Sequence, residues 1–364
     1  MKSVYGDIIT FIKDYVADAL SYYLNYPFIK PWRINFDITY RCPLRCKMCG
    51  IWKIKPEPKN ELSVEEIKRV VDDAYSWGIR HISFAGGETL VRANDVVKII
   101  KYASKKPGMR VDLITNGIYL SRSLCKKLIA SGVSKISLSV DGATEKTHDY
   151  IRGKGTFRKV IRAVKRLRKI RDEMSRKGLE LEFTTVVMSY NFRELVDIFW
   201  LMRELGFDYI NYQAVTLDNS FMSSFSPKSY DNPIWIKGKD IDELERIVKQ
   251  LVLLKKKTGR IRNTRRYLLT LPKYFREKEK FKTGKCMSGY SYINVNPYGN
   301  INVCGYGPNL NVRDMPLEKI WKHKRYKMTR ILIKRCKRPC LMLCYEKLNF
   351  MEIFEAWLEV RGWI

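Results

Sequence analysis

A chain of 364 residues with 45% hydrophobic side chains is long enough for one large domain or two ordinary ones, with a packed core. Its formal net charge of +31 favours anionic partners, whether nucleic acid, an anionic lipid surface or an acidic substrate, and says nothing about fold. No secretory signal with a small-residue cleavage site is present and no apolar run is long enough to span a bilayer. The nine cysteines are odd in number and clustered, which points to metal binding in the cytoplasm rather than to disulfides.

In chain order, residues 5–24 carry Ile8, Phe11, Ile12, Tyr15, Ala19, Leu20, Tyr23 and Leu24 at helical spacing. The aromatic segment Tyr26–Trp32 follows. Residues 1–32 therefore read as an N-terminal amphipathic helix with an aromatic anchor, either packed on the protein's own body or lying at a membrane surface. From 33 to 215, strands and helices alternate. The expected strands are Ile34–Tyr40, His81–Ala85, Arg110–Thr115, Lys135–Asp141, Glu180–Val187 and Tyr209–Ala214. Helical patterns over Val64–Trp77, Asp95–Lys105, Ser123–Ala130, Phe157–Arg176 and Arg193–Leu205 fill the gaps, several closed by Gly78, Gly132, Gly178 and Gly206. Six such units predict an α/β fold, a partial (β/α)6 barrel whose site lies at the carboxyl ends of the strands.

Residues 216–285 read as a basic linker region. Ser, Asn and Pro dominate 216–233, and Lys249–Lys285 holds fourteen basic and two acidic residues. Residues 158–177 repeat the bias with ten basic residues on a helix. A small cysteine-rich domain spans 286–364. It opens with a hairpin, Tyr292–Asn296 and Ile301–Cys304 around Pro297-Tyr298-Gly299-Asn300. It ends in an amphipathic helix bearing Leu348, Met351, Phe354, Trp357 and Leu358.

The chemistry concentrates on Cys42, Cys46 and Cys49, spaced C-x3-C-x2-C directly after the first strand. Three thiolates on one loop can hold three irons of a [4Fe-4S] cluster and leave the fourth iron open to a small molecule. A zinc site and three ordinary thiols are the alternatives. That spacing in that place resembles the radical S-adenosylmethionine (SAM) superfamily. The resemblance covers residues 33–215 and implies a [4Fe-4S] cluster with SAM on its open iron. It also implies reductive cleavage of SAM to a 5′-deoxyadenosyl radical that takes hydrogen from a substrate carbon, and an electron donor such as ferredoxin or flavodoxin. Gly86-Gly87-Glu88-Thr89, with Thr89 where the family has proline, resembles the segment that receives the SAM amino group. Asn116, Ser139 and Asp141 lie in segments similar to the family's at strands three and four, and Ser139 and Asp141 are candidates for the ribose hydroxyls. Arg152, in a stretch similar to peptide-modifying members, is the candidate for the SAM carboxylate. Cys286, twelve residues, Gly299, four residues and Cys304 resemble the opening of a SPASM/twitch extension. Cys336, Cys340 and Cys344 follow, fewer than a full SPASM set, and imply one auxiliary [4Fe-4S] cluster, with zinc as the alternative. Cys125, mid-helix, reads as a buried small residue.

Three substrate readings follow. Amphipathic ends with a large positive charge favour a membrane lipid or lipid-linked molecule and a peripheral position at the inner membrane face. The SPASM-like extension favours a peptide or protein. A cysteine-rich nucleic-acid binder is the third, disfavoured because the basic runs lack interleaved aromatics. A lipid substrate is the leading expectation of the three.

Overall fold

The computed structural model describes residues 16–17, 20–216, 231–281, 286–337 and 339–342. Most of the N-terminal helix, the Ser/Asn/Pro-rich stretch from 217, Cys344 and the C-terminal amphipathic pattern lie outside the described residues.

Among the described residues eight strands form one sheet. They are β1 (Arg33–Asp37), β2 (His81–Ala85), β3 (Arg110–Thr115), β4 (Lys135–Ser139), β5 (Glu180–Val187), β6 (Tyr209–Ala214), β7 (Tyr292–Val295) and β8 (Ile301–Asn302). Their order is β6-β5-β4-β3-β2-β1-β7-β8, parallel throughout except for the β7–β8 hairpin. The helices of the repeating units are α1 (Val64–Ser76), α2 (Ala93–Ala103), α3 (Arg122–Ala130), α4 (Glu145–Arg152), α5 (Thr156–Glu173) and α6 (Leu195–Glu204). The unclosed, barrel-like parallel sheet is the predicted fold class. Four of the six predicted strands have the expected bounds. The first and fourth end early, at Asp37 and Ser139, the first because its partner β2 runs out. Asp37 pairs with Ala85, after which Gly86 turns away with φ +125.

Alternation along each strand separates two environments. Ile34 and Phe36 point to the helices and are buried, as are Ile82, Phe84, Val111 and Leu113. The other face is polar at its base. Asp112 accepts from Arg110 Nε at 3.0 Å and pairs with His81 Nε2 at 3.0 Å, while Lys135 Nζ reaches Glu182 at 3.2 Å. Arg110 also meets Glu180 at 3.0 Å. His81, Arg110, Lys135 and Glu180 are each the first residue of a strand, so an ionic network closes the amino-terminal floor of the sheet. Chemistry is left to the carboxyl-terminal rim, where loops are free to vary.

The region expected to be a basic linker contains two packed helices, α7 (Lys239–Thr258) and α8 (Arg265–Glu277). Ile241, Leu244, Val248 and Leu251 are buried on one, and Tyr267, Leu268, Leu271 and Phe275 on the other. Two of the basic residues are paired locally: Arg276 with Glu245 and Asp242, and Arg262 with Glu180 and Glu182. Two tyrosines of α8 finish the sheet. Tyr267 Oη accepts the amide of Ala214 at 2.9 Å and donates to Leu341 O at 3.1 Å, and Tyr274 Oη donates to Val215 O at 2.9 Å. Beyond the hairpin, α9 (Leu317–Lys322) and α10 (Lys324–Lys334) pack behind the cysteine-bearing extension. The hairpin continues the main sheet, because β7 lies parallel beside β1 with Ile34 opposite Ile293.

Replacing Tyr267 with Phe strands the Ala214 amide without its acceptor. The expected cost is about 1–3 kcal/mol, read as a lower urea midpoint at unchanged m-value.

Candidate functional site

The rim is built on the chain that leaves β1. Ile38 N donates to Ala85 O at 3.0 Å, Gly87 N to Thr39 O at 2.7 Å and Glu88 N to Arg41 O at 2.9 Å. These bonds zip the loop after β2 onto the segment that leads into Cys42. A Cβ on Gly86 would stand 2.5 Å from Thr39 O, and one on Gly87 2.5 Å from Arg41 O and 2.8 Å from Tyr40 O. The two glycines are thus required by the close approach of two backbones. The same segment is held from the other side by Glu61. Its carboxylate accepts from Thr39 Oγ1 at 2.5 Å and from Arg41 Nη2 at 3.0 Å, with Arg92 at 3.5 Å.

Cys42, Cys46 and Cys49 follow on one loop, Cys46 buried and the other two half-buried. Two backbone bonds shape it, Cys49 N to Cys46 O and Lys47 N to Ile151 O, both 3.0 Å. The second ties the loop to the end of α4. Arg152, the last residue of α4, brings its guanidinium Nη1 within 3.9 Å of Cys46 Sγ. Burial pushes the Cys42 thiol up to about 12 and raises Cys46 and Cys49, against which the Arg152 cation pulls both of the latter down. Metal binding deprotonates a thiol outright, so this donor set and its neighbouring cation fit a bound cluster. Among the described residues no three His, Cys, Asp or Glu side chains close around a single ion. A four-iron cubane does not require that, since it puts each thiolate on a different iron.

The other predicted residues gather at the same rim with unexpected partners. Glu88 is buried and its carboxylate accepts from Thr115 Oγ1, from Leu90 N at 2.9 Å and from Asn116 N at 2.8 Å. Thr89 donates to Ile114 O at 2.8 Å, so the Gly-Gly-Glu-Thr segment is fastened to the end of β3 by two side chains. Asn116 Oδ1 accepts from Ile118 N at 3.0 Å. Asp141 is fully buried, accepting from Arg152 Nε at 2.6 Å and Val186 N at 2.7 Å. Asp141, the ribose candidate, and Arg152, the SAM-carboxylate candidate, thus form a buried ion pair, with Arg152 also facing Cys46. Ser139 is half-buried at the end of β4. His148 lies underneath, its Nδ1 accepting the Asp141 amide at 3.3 Å. Burial, with Arg152 beside it, lowers its pKa to about 3, so the ring is neutral. Cys125 is fully buried in α3, as expected.

Sequence reasoning missed Asp37. It ends β1 on the polar face, and its Oδ2 is buried with no hydrogen-bond partner among the described residues. Burial raises its pKa to about 7. An acidic residue inside an otherwise strand-like run, five positions before Cys42, was the available signal.

In the extension, Ser288 Oγ lies 3.3 Å from Cys304 Sγ. Cys336 follows α10, with its amide on Ile333 O at 3.0 Å. Cys286, Cys336 and Cys340 are half-buried, and Cys344 lies outside the described residues. The hairpin turn reaches the main rim: Tyr298 Oη accepts Glu57 N at 3.0 Å, and its ring sits 5.9 Å from that of Tyr40. Of the N-terminal helix, the described part packs Tyr22 on Tyr290, while Tyr23, Tyr26, Phe28 and Trp32 remain exposed. Among the described residues no helix is long and apolar enough to cross a membrane.

Residues 36–202 match the family model described as the Radical SAM superfamily. An AdoMet-dependent heme synthase of Methanosarcina barkeri is 29% identical over 316 residues, covering 80% of this chain and 82% of that protein. A PqqA peptide cyclase of Bradyrhizobium diazoefficiens is 24% identical over 339 residues, covering 88% and 80%. Among solved structures, Streptococcus suis SuiB bound to the precursor peptide SuiA superposes with a TM-score of 0.62 at 15% identity, over 82% of this chain and 66% of that one.

Two measurements check this geometry. Arg152→Met leaves the Asp141 carboxylate buried and unpaired, for an expected loss of about 3–5 kcal/mol; Asp141→Asn combined with it recovers most of the loss in denaturant melts. For Asp37, the folded carboxyl holds its proton up to about 7 while the unfolded one releases it near 3.8. Folding is therefore penalised progressively as pH rises from 4 to 7. Asp37→Asn should gain on the wild type by of order 2–4 kcal/mol between pH 4.5 and pH 7.5, measured as unfolding free energies at the two pH values.

Proposed function

The chain belongs to the radical SAM superfamily and uses a [4Fe-4S] cluster and SAM, and on that premise we propose that it modifies a peptide or protein at an unactivated carbon. The observation that carries this reading is the extent of the likeness to a PqqA peptide cyclase, which spans 88% of the chain and so includes the cysteine-bearing extension as well as the sheet. The large positive charge suits an acidic peptide. The lipid substrate expected from the amphipathic ends gives way to this reading. Those ends lie mostly outside the described residues, while the relatives compared act on peptides or make heme.

In this proposal Cys42, Cys46 and Cys49 would hold the SAM-binding cluster, and Cys286, Cys304 and two of Cys336, Cys340 and Cys344 would supply the four ligands of one auxiliary cluster. Bound there, the cluster and SAM would supply the radical chemistry for removing hydrogen from a substrate carbon. The chain's own part is to place and shield. Gly86 and Gly87 present backbone to the SAM amino group, with Glu88 pinning that turn to β3. Ser139 and Asn116 face the nucleoside. Arg152 holds positive charge beside Cys46, and the ionic floor keeps water from entering below. A ferredoxin or flavodoxin donates the electron.

The likeness to an AdoMet-dependent heme synthase favours a second reading, an iron-porphyrin substrate whose acidic groups would meet the same positive field. The test is anaerobic 5′-deoxyadenosine formation by cluster-reconstituted protein with SAM and dithionite. It is run alone, with a desalted peptide fraction, with Fe-coproporphyrin III and with lipid extract. Peptide should stimulate formation at least several-fold over the uncoupled background, with Cys42→Ala silent in every tube. Stimulation by the porphyrin alone selects the second reading, and stimulation by lipid alone rejects both.

A further inference from the structure

Behind the auxiliary cysteines lies a second buried arginine, and its surroundings differ from those of Arg152. Arg330 sits on α10 and is fully buried. Three rings enclose it: Trp321 at 4.4 Å, Tyr326 at 4.3 Å and Tyr290 at 5.4 Å from the guanidinium carbon. Nε donates to Gly289 O at 2.8 Å and Nη2 to Trp321 O at 2.9 Å. Among the described residues Nη1 has no hydrogen-bond partner, and neither has the buried hydroxyl of Tyr326 one turn earlier on the same helix. Among the described residues no carboxylate pairs with it. A buried cation without a counter-charge costs several kcal/mol, which ring faces and carbonyls offset only in part.

The missing anion has an evident place. Arg330 Nε holds the carbonyl of Gly289, three residues after Cys286. A Cβ on Gly289 would stand 3.4 Å from Val303, the neighbour of Cys304, 3.4 Å from Ile333 and 3.5 Å from Arg330 Cγ. Ile333 O in turn fixes the amide of Cys336. The arms bearing Cys286, Cys304 and Cys336 thus converge on this one side chain. We infer that Arg330, with the hydroxyl of Tyr326, is the charge complement of the anionic auxiliary iron–sulfur cluster whose ligands include Cys286, Cys304 and Cys336, and sets its reduction potential. This rests on the auxiliary-cluster reading above. Net charge and hydrogen bonding to sulfur are among the terms that fix such potentials. A nearby cation favours the more negative, reduced cluster, so its removal lowers the potential.

The test uses the full chain with Cys42, Cys46 and Cys49 all replaced by Ala, so that any cluster is the auxiliary one. Iron and sulfide content, an EPR-monitored potentiometric titration and the gain in Tm on cluster loading are measured for this parent and for Arg330→Met, Arg330→Lys and Tyr326→Phe. The expected result for Arg330→Met is at least a tenfold fall in the reduced-to-oxidised ratio at a fixed potential, about 59 mV for one electron. Its gain in Tm on loading should also shrink. Arg330→Lys should stay near the parent, and Tyr326→Phe should shift the same way by less. Loading of Arg330→Lys but not Arg330→Met also supports the inference. Equal midpoints and equal gains in Tm overturn it, as does a folded Arg330→Lys that loads no better than Arg330→Met. If neither arginine variant folds, the Tyr326→Phe midpoint decides: a negative shift supports the inference and an unchanged value overturns it. A parent that binds no iron rejects the auxiliary-cluster reading itself.

Discussion

The site depends on two stretches of backbone meeting with no side chain between them. Where β1 loses its strand partner, the chain to Cys42 is carried on by amides of Gly87 and Glu88 on the carbonyls of Thr39 and Arg41. Any Cβ at Gly86 or Gly87 would strike those carbonyls. The glycines are needed first to hold the cysteine loop, before any ligand is considered. Glu61 supports the same segment from the opposite side, and Lys47 is bonded to the end of α4. The thiols are therefore placed by rigid elements rather than by the loop's own conformation, as a preorganised site requires.

Charge is handled in three ways. At the floor of the sheet, Asp112, Glu180 and Glu182 are interlocked with His81, Arg110, Lys135 and Arg262, so that the polar base is satisfied. At the rim, Arg152 is neutralised by Asp141 while still facing Cys46. In the extension, Arg330 is enclosed by aromatic rings with one donor idle. The excess of +31 is thus not simply a solvated coat. Part of it is built into the interior, with Arg152 beside Cys46 and Arg330 on the helix that leads to Cys336.

Much of the architecture is legible in the sequence because it is written locally. Period-two and period-3.6 patterns locate β2, β3, β5 and β6 at their observed bounds, and the C-x3-C-x2-C spacing marks the rim from residue order alone. Helices α7 and α8 are not legible in the same way. Their basic composition reads as solvated, and only packing reveals that Tyr267 and Tyr274 reach back to bond the backbone leaving β6. Helix α4 is likewise hidden in a short polar run, although it places Arg152.

What the sequence by itself determined is the class of chemistry: thiols at fixed spacing after a first strand, glycines after a second, and a cysteine-bearing hairpin further on. These are local, since spacing along a chain limits which ligands one loop can present. Only the tertiary structure decided what the charged residues do. Asp141 and Arg152 read as ligand contacts in the sequence, and the fold also pairs them with each other, because a buried carboxylate takes the nearest cation. Glu88 is turned to Thr115, Leu90 and Asn116 for the same reason, as a buried acceptor must find donors. Asp37 and Arg330 stand out only because their partners are missing, and an absent partner is a property of three-dimensional neighbours that no order of residues displays.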